Sequence, residues 1–324
     1  MRHDYRMSEM DLGGGAAPTL RGHFLYNEPM KKHVSWRAGG AAKRVYIPAD
    51  LEDLTWLVRS VPLCEDIHMV GLGSNLLVRD GGVSGVVILL HGVLKKVAIE
   101  SRTHGLPTNP SDADSALVFA QAGVASPKLA RFAANHDLVG GEFWAGIPGT
   151  VGGAIAMNAG CYGSETWDKL VQVQTLDRQG QLNERLPDEY VTGYRHVALK
   201  HAQQEWFIGG WFRLARGDGA ASRETIKTLL KQRIESQPLN VPNAGSVFRN
   251  PPGDYAARLI EHCGLKGFRI GGAQVSEKHA NFIVNAGNAS ATDIERLIEH
   301  VEDSVEARTN VRLIREVRII GERQ

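Results

Sequence analysis

Cysteine is scarce in this chain. Its three cysteines, Cys64, Cys161 and Cys263, are far apart in 324 residues, and no C-x-x-C pair occurs. An odd and sparse count is typical of a reduced compartment and argues against a disulfide framework or a zinc site. We therefore expect no metal centre and a cytoplasmic location.

Excess charge and long apolar runs are also missing. Lysine and arginine number 37 against 36 aspartates and glutamates, so the net charge is +1. Such a balance predicts neither a nucleic-acid footprint nor a membrane-surface patch. The longest apolar run, residues 85–90, is far shorter than the roughly 20 residues of a membrane span, and residues 1–20 contain no apolar core of a signal peptide. We expect neither nucleic acid nor membrane as a partner.

The common motifs of nucleotide and hydrolytic sites are absent as well. No G-x-x-x-x-G-K-[ST], H-E-x-x-H or G-x-S-x-G occurs, which excludes the corresponding P-loop, zinc-protease and nucleophile-elbow sites. Gly71-Leu72-Gly73 follows a predicted strand, but Leu76 stands where a dinucleotide fingerprint needs its third glycine. A two-domain Rossmann enzyme is therefore disfavoured.

Glycine is the residue that the chain has in excess. It contributes 36 of 324 residues, against a usual share of about 7%. The glycines cluster at residues 39–40, 71–85, 140–163 and 264–272. Clustered glycine indicates tight turns, positive φ angles or a backbone that approaches a ligand closely.

Hydrophobic periodicity and turn residues predict a mixture of strands and helices, and hence an α+β chain. Strands are predicted at residues 44–49, 68–70, 86–90, 96–100, 116–121, 206–214, 281–284 and 315–320, with a hairpin at 170–182 that turns at 177–180. Helices are predicted from the capping residues Asp50, Ser126 (before Pro127), Ser222, Asp254 and Thr292 (with Glu295). Residues 101–115 are predicted to form a mobile loop.

Two glycine loops are the strongest candidates for a ligand site. Each can direct backbone N–H groups and short polar side chains at a phosphate. The first loop contributes Gly71, Gly73, Ser74, Asn75 and Leu76, and the second contributes Gly146, Ile147, Pro148, Gly149, Thr150 and Gly153. Either loop alone is equally well explained as a tight turn between packed strands. Together they favour a bound dinucleotide.

These loops belong to a longer series of motifs. The others are Trp36-Arg37-Ala38-Gly39-Gly40, Met157-Asn158-Ala159-Gly160, Gly193-Tyr194-Arg195, residues 243–251 with Gly245-Ser246 and Asn250-Pro251, residues 267–273, and Arg315-Glu316-Val317. In this order the chain resembles the UDP-N-acetylenolpyruvoylglucosamine reductase family from about residue 27 to residue 322. It is similar more broadly to flavoenzymes of the p-cresol methylhydroxylase type.

The resemblance implies a fold, a domain division and a reaction. A two-part FAD-binding module would comprise residues 21–90, joined by 313–324, and residues 91–216. An α+β substrate-binding domain would span 217–312, after a flexible segment at 1–20. The implied partners are NADPH, non-covalently bound FAD and a UDP-sugar whose enolpyruvyl group is reduced in peptidoglycan precursor synthesis. The cofactor would supply the redox chemistry and the protein its orientation and electrostatics. We expect a monomer.

The resemblance also assigns roles to particular residues. Arg195 would stabilise the developing enolate, Ser246 would protonate the adjacent carbon, and Glu316 would support the enol from the opposite side. Tyr194, Asn250 and His279 match substrate contacts. Taken singly, such residues are more often a surface ion pair, a turn serine or a structural cap, and only their joint placement in the motifs favours function.

Two alternatives stay open at this point. One is an oxidase of the same fold, in which the position of Cys161 raises the question of a covalent flavin. The other is a non-catalytic dinucleotide-binding protein, which would be expected to lose Arg195, Ser246 or Glu316. The linker at residues 214–222 is short, so the chain resembles the branch of the family that lacks a substrate-covering insertion there.

Overall fold

The structure is a computed structural model that describes residues 19–100, 114–201 and 203–324. Most of the predicted N-terminal segment, residues 1–18, and most of the predicted loop, residues 101–113, lie outside the described residues. In the part of the chain that the structure describes, no helix is long and apolar enough to cross a membrane.

Strands and helices alternate along the described chain. The strands are β1 His23–Pro29, β2 Ala41–Ile47, β3 Ile67–Val70, β4 Leu76–Val78, β5 Val83–Leu89, β6 Val97–Glu100, β7 Ser115–Gln121, β8 Leu138–Val139, β9 Gly160–Cys161, β10 Ser164–Glu165, β11 Leu170–Asp177, β12 Leu182–Arg185, β13 Tyr190–Gly193, β14 His196–Leu199, β15 Glu205–Arg216, β16 Arg269–Ile270, β17 Ala273–Val275, β18 Ile283–Asn285 and β19 Arg318–Ile320. The helices are α1 Leu51–Ser60, α2 Ser126–Asn135, α3 Val151–Ala156, α4 Gly219–Ser236, α5 Ala256–His262 and α6 Ala291–Thr309.

The first sheet has the order β1-β2-β5-β3, with β2, β5 and β3 parallel and β1 antiparallel at the edge. Its strand β1 is missing from the sequence prediction, because half of its residues are polar or exposed, as is usual at a sheet edge. Helix α1 buries Leu54, Leu57 and Val58 against Tyr46 and Ile88. The strand β3 forms the opposite edge and faces the cleft described below.

The second sheet has the order β12-β11-β15-β7-β6 and is antiparallel throughout. The predicted hairpin at 170–182 is confirmed, since Leu176 pairs with Leu182 across its turn. Helix α2 and the 3₁₀ turn Glu142–Gly146 lie over this sheet and bury Trp144 and Leu129 in its core. This packing fixes the start of the second glycine loop.

The C-terminal part combines helices α5 and α6 with the small sheet β16-β17-β18. Its core also takes in Trp36 and Leu77 from the N-terminal part of the chain. The last strand, β19, returns to pair in parallel with β4, directly after the first glycine loop. Arg79 behind β4 donates to both carboxylate oxygens of Glu295 on α6, at 2.8–3.2 Å. The segments that carry Trp36 and β4 are therefore packed against the C-terminal part.

Several helix caps differ from the sequence prediction. Asp50 caps α1 as predicted, but Ala125, Asp218, Tyr255 and Ser290 are the N-caps of α2, α4, α5 and α6. In α6 the capping box joins Ser290 to Asp293, which leaves Thr292 to bind Asp80 and Glu295 to bind Arg79. The stretches before α4 and α6 each offer more than one short polar residue, and α2 and α5 begin one residue away from the predicted cap, so the capping pattern alone does not fix the first turn.

We propose that the domain division of the sequence analysis applies, with units at 21–90 plus 313–324, 91–216 and 217–312. The two larger sheets fall one in each of the first two units, and the strand pair β4–β19 accounts for the return of the C-terminal segment. The linker between the second and third units is short, since β15 ends at Arg216 and α4 begins at Gly219.

Candidate active site

A cleft of about 910 Å³ opens between the two larger sheets and the C-terminal part. All of the residues predicted for the two glycine loops line it, together with Tyr194, Arg195, Ser246, Asn250 and Glu316. The structure thus brings together residues from positions 71 to 316 that the sequence analysis had connected only through their motifs.

The two glycine loops touch each other across this cleft. A Cβ atom at Gly71 would lie 2.4 Å from Oγ1 of Thr150, and one at Gly149 would lie 3.3 Å from Oγ of Ser74. Gly73 has a φ of 59° and packs so closely on His33 that any side chain would clash with the carbonyl of His33. Glycine is therefore required here both by backbone conformation and by space.

The first loop is held at both ends. The backbone N–H of Ser35 donates to the Gly73 carbonyl at 3.1 Å. The Asn75 side chain donates to the Glu316 carbonyl at 3.1 Å, and the N–H of Arg318 donates to the Asn75 carbonyl at 2.9 Å. These bonds place Glu316 next to the first glycine loop although the two are far apart in sequence.

The second loop is held by its neighbours on the second sheet. Thr150 caps the short helix α3 by accepting from the Gly153 N–H at 3.5 Å. The N–H of Ser126 donates to the Gly149 carbonyl at 2.9 Å. The predicted role of Ser126 as a cap is wrong, and its hydroxyl is buried with no partner among the described residues.

Arg195 and Glu316 form a charge pair in the cleft. Nε of Arg195 lies 2.7 Å from Oε1 of Glu316, and the two side chains are only 15% and 14% exposed. Arg195 also donates to the carbonyls of Asn158 at 3.3 Å and Gly160 at 2.9 Å. A guanidinium with three bonds in a half-buried site is held in one orientation, which suits it to meet a charge that develops during a reaction.

The turn that carries Arg195 has an unusual backbone. Arg195 has a φ of 54°, in the left-handed region that non-glycine residues seldom adopt. It lies between β13 and β14, whose four cross-strand pairs close the hairpin around it. Tyr194 before it is 45% exposed and has the Arg195 guanidinium 4.9 Å from its ring centroid. Strain of this kind persists where surrounding contacts hold the residue, and it is common at active sites.

Burial and nearby positive charges act in opposite directions on the pKa of Glu316. Burial raises its pKa above the ordinary value, while the charges of Arg195 and Arg249 oppose that rise. The ionisation of Glu316 is therefore sensitive to both its burial and the two guanidinium groups.

Ser246 follows Gly245, whose φ of 75° turns the chain into the cleft. The next two residues are fixed from behind, because Asn281 accepts from the backbone N–H of Val247 and of Phe248 at 2.9 and 3.0 Å. No hydrogen bond involves the Ser246 hydroxyl within the described ranges. The hydroxyl is therefore available to a ligand in the cleft.

The three predicted substrate contacts differ in position. Tyr194 and Asn250 line the cleft, and the Asn250 side chain also accepts from the N–H of Ala256 at 3.1 Å. His279 does not line it. Its ring packs edge-on against Phe282, and its Nδ1 accepts from the N–H of Asn281 at 3.3 Å, which is a cap-like structural role.

Further residues of the cleft are not among the predicted site residues. They are His68 on β3, Trp206 on β15, Arg233 on α4 and Gln237 directly after α4. Arg233 is bonded to Gln237 through Nε at 2.8 Å. The positive charge along α4 was a usable sequence signal for Arg233, but His68 and Trp206 look like ordinary strand residues.

Cys161 lines the cleft as a free, partly buried thiol. It donates to the carbonyl of Phe143 at 3.0 Å, and burial raises its pKa to about 11. A protonated thiol is a poor nucleophile, which weakens the covalent-flavin alternative. Among the described residues no group of three or more His, Cys, Asp and Glu side chains is arranged to hold a metal.

Comparison with known proteins extends these observations. Residues 42–184 match the model of an FAD binding domain, and residues 237–320 match the UDP-N-acetylenolpyruvoylglucosamine reductase C-terminal domain. The chain is 82% identical over the whole of both chains to the reductase of that name from Thiobacillus denitrificans. It is 56% identical to the one from Nitrosomonas eutropha, over 94% of this chain and 90% of that one.

A solved structure agrees with these relatives. The crystal structure of the UDP-N-acetylenolpyruvylglucosamine reductase of Thermus caldophilus superposes with a TM-score of 0.72 at 29% identity, over 93% of this chain and 99% of that one. Fold and cleft define a flavin-dependent oxidoreductase, and the α+β fold with its two-part FAD module is confirmed. More narrowly, the chain belongs to the UDP-N-acetylenolpyruvoylglucosamine reductase family.

Proposed function

We propose that Arg195, Ser246 and Glu316 carry the NADPH-dependent, FAD-mediated reduction of UDP-N-acetylglucosamine enolpyruvate to UDP-N-acetylmuramic acid. The single observation that supports this assignment best is the convergence of all three residues on the same cleft as both glycine loops. The FAD binding domain and the named relatives support the cofactor and the reaction.

The residues of the glycine loops fit an FAD diphosphate. Gly71 and Gly149 leave the backbone bare where the loops meet, and Gly73, Gly146 and Gly153 line the same cleft, as an anion cradle requires. Ser74, Asn75 and Thr150 add polar groups, while Leu76, Ile147 and Pro148 line the same wall. No lysine or arginine belongs to either loop, so the backbone supplies most of the attraction.

The remaining roles follow from the chemistry at the Arg195 end. The chemistry that FAD supplies when bound is transfer of a hydride from NADPH to the terminal enolpyruvyl carbon. Arg195 then faces the enolate that is left, and its charge persists at neutral pH. The Ser246 hydroxyl gives its proton to the adjacent carbon, and Glu316 supports the enol form from the other side.

The proposal also includes the substrate contacts, the oligomeric state and the location of the protein. Tyr194 and Asn250 contact the UDP-sugar from the exposed rim of the cleft. A substrate contact of His279 stays a prediction, since its ring lies against Phe282 and its Nδ1 accepts from the N–H of Asn281. The protein works as a monomer in the cytoplasm. Because α4 follows β15 almost directly, its Arg233 and Gln237 are the residues that the fold offers toward the uridine diphosphate end.

An anaerobic absorbance experiment tests the proposal directly. The purified flavoprotein is reduced with NADPH and then mixed with the enolpyruvyl UDP-sugar. We expect the flavin band to bleach with NADPH and to return only when the sugar nucleotide is added. Reoxidation by oxygen but not by the sugar would favour the oxidase, and a protein that takes up no FAD would overturn the cleft assignment.

A further inference from the structure

Two chain segments run antiparallel behind the Arg195–Glu316 pair. The N–H of Glu316 donates to the Val247 carbonyl at 2.7 Å, and the N–H of Arg249 donates to the Ile314 carbonyl at 2.8 Å. Phe248 and Arg315 stand directly opposite each other between these bonds. The segment that carries Ser246 is therefore the ladder partner of the segment that carries Glu316.

This register decides which side chains share a face. Side chains alternate along each segment, so Arg249 and Glu316 lie on one face as diagonal neighbours, about 7–8 Å apart at their Cα atoms. Arg315 points to the other face, where it binds both carboxylate oxygens of Glu302 at 2.7 and 2.6 Å. Arg195 and Arg249 are the two positive charges that act on the Glu316 carboxylate.

The Arg249 guanidinium has no hydrogen-bond partner among the described residues. Its Nε is buried and has no hydrogen-bond partner, and its side chain donates no hydrogen bond anywhere in the described ranges. A buried donor without a partner is costly, and such groups in native proteins call for an explanation. Arg249 does not line the cleft, so its unused charge is directed at a protein group and not at the substrate.

Arg195 has two tasks that compete. It is the hydrogen-bonded cation of Glu316, and under the proposed function it also meets the enolate of the substrate. When its charge is shared with the substrate, the half-buried Glu316 loses part of its compensation. A second cation that acts on the same carboxylate, which is Arg249, removes that conflict.

We infer that Arg249 is a positioning residue that holds Glu316 in place and balances its charge while Arg195 engages the substrate. This inference rests on the proposed role of Glu316. It assigns Arg249 no contact with substrate or flavin. Loss of its charge therefore affects the step that uses Glu316 and leaves the reduction of the flavin by NADPH unchanged.

The test compares Arg249→Gln and Arg249→Lys with Arg315→Gln, which removes the same charge from the same ladder on the opposite face. Both half-reactions are followed by anaerobic stopped-flow absorbance across pH, with FAD content and thermal unfolding as checks of folding. For Arg249→Gln we expect reoxidation by the sugar nucleotide to slow at least about tenfold. We also expect its pH profile to move upward by about one unit, because a carboxylate that loses a nearby cation binds its proton more tightly.

The controls separate this inference from the proposed function. Arg249→Lys recovers most of the rate, Arg315→Gln changes neither rate nor profile, and flavin reduction stays within about twofold in all three. In a Glu316→Gln background, Arg249→Gln causes no further slowing. An unshifted profile in Arg249→Gln, or an equal loss in the Glu316→Gln background, overturns the role of Arg249. An unimpaired Glu316→Gln variant would instead refute the proposed role of Glu316 itself.

Discussion

The α-carbon of Gly71 lies so close to Thr150 that a Cβ atom added there would stand 2.4 Å from the threonine Oγ1. The two glycine loops are thus in direct contact, although they belong to different sheets. Only a residue without a Cβ atom allows this contact at position 71.

Replacing Gly71 with alanine should push the loops apart and weaken FAD binding. The new methyl group meets the side chain of Thr150, which is itself held as the cap of α3. We expect the purified variant to retain much less FAD, measured as the flavin-to-protein absorbance ratio after dialysis. Gly193→Ala is the control, because nothing lies within 4 Å of its added Cβ, and it should stay loaded. A fully loaded Gly71→Ala protein would contradict the cradle.

Removing the Ser246 hydroxyl should affect only one half-reaction. The hydroxyl faces the cleft without a partner in the described part of the chain, so Ser246→Ala removes a proton donor without opening a buried cavity. We expect flavin reduction by NADPH to stay within about twofold and reoxidation by the enolpyruvyl substrate to fall by about 10²-fold or more. If both rates are unchanged, the proton donor is another group.

The cysteines should differ in reactivity. Burial raises the pKa of Cys161 to about 11, whereas Cys64 is exposed and Cys263 is buried. At pH 8 we expect iodoacetamide to modify Cys64 first and Cys161 slowly, since the thiolate is the reacting species. Mass spectrometry of the labelled peptides gives the order in which the cysteines are modified. Acid precipitation tests whether the flavin is bound non-covalently, because a non-covalent flavin is then released from the protein. Rapid labelling of Cys161 or flavin retained in the precipitate would reopen the covalent alternative.

The Arg79–Glu295 pair should contribute to stability in a pH-dependent way. Hydrogen bonds from Arg79 lower the pKa of Glu295, against the opposing effect of burial. Its contribution is therefore present above the ordinary carboxyl pKa near 4.3 and is lost as pH falls through the lower folded value. Glu295→Gln should cost about 1–3 kcal/mol of unfolding free energy at neutral pH and much less in acid, measured by urea denaturation.

The more exposed neighbour Glu299 provides the matched control for that experiment. It pairs with Arg323 at the surface, so Glu299→Gln should cost less than about 1 kcal/mol. Equal losses in the two variants would mean that burial of Glu295 contributes nothing. A loss at Glu295 that does not diminish in acid would mean that packing, not charge, is responsible.

Local motifs allowed much of the fold to be predicted, because glycine turns and periodic apolar residues act over a few positions. Both glycine loops and the hairpin after β11 follow from such patterns. The cap of α6 is Ser290, two residues before the predicted Thr292, because the Thr292 side chain binds a tertiary partner, Asp80. Strand β1 was missed, because an edge strand need not alternate cleanly.

Contacts between segments that are distant in sequence could not be predicted from the sequence. Nothing near Arg249 in the sequence indicates that the ladder between residues 247–249 and 314–316 directs it toward Glu316. In the same way, no local pattern distinguishes His279, which turns to Phe282, from a substrate contact. The motifs identified the residues of the site, whereas the pairing of strands determines which of these residues lie next to each other.

The parallel pairing of β19 with β4 also sets an order of events during synthesis. The first glycine loop is translated early, but its anchor at Asn75 and the ladder beside it wait for Glu316 and Arg318, more than 240 residues later. Contacts that join such distant segments form late in folding, after loop closure over most of the chain. The first glycine loop therefore lacks its anchor until residues 316–318 have been added to the growing chain, and the cleft cannot take its final form before that point.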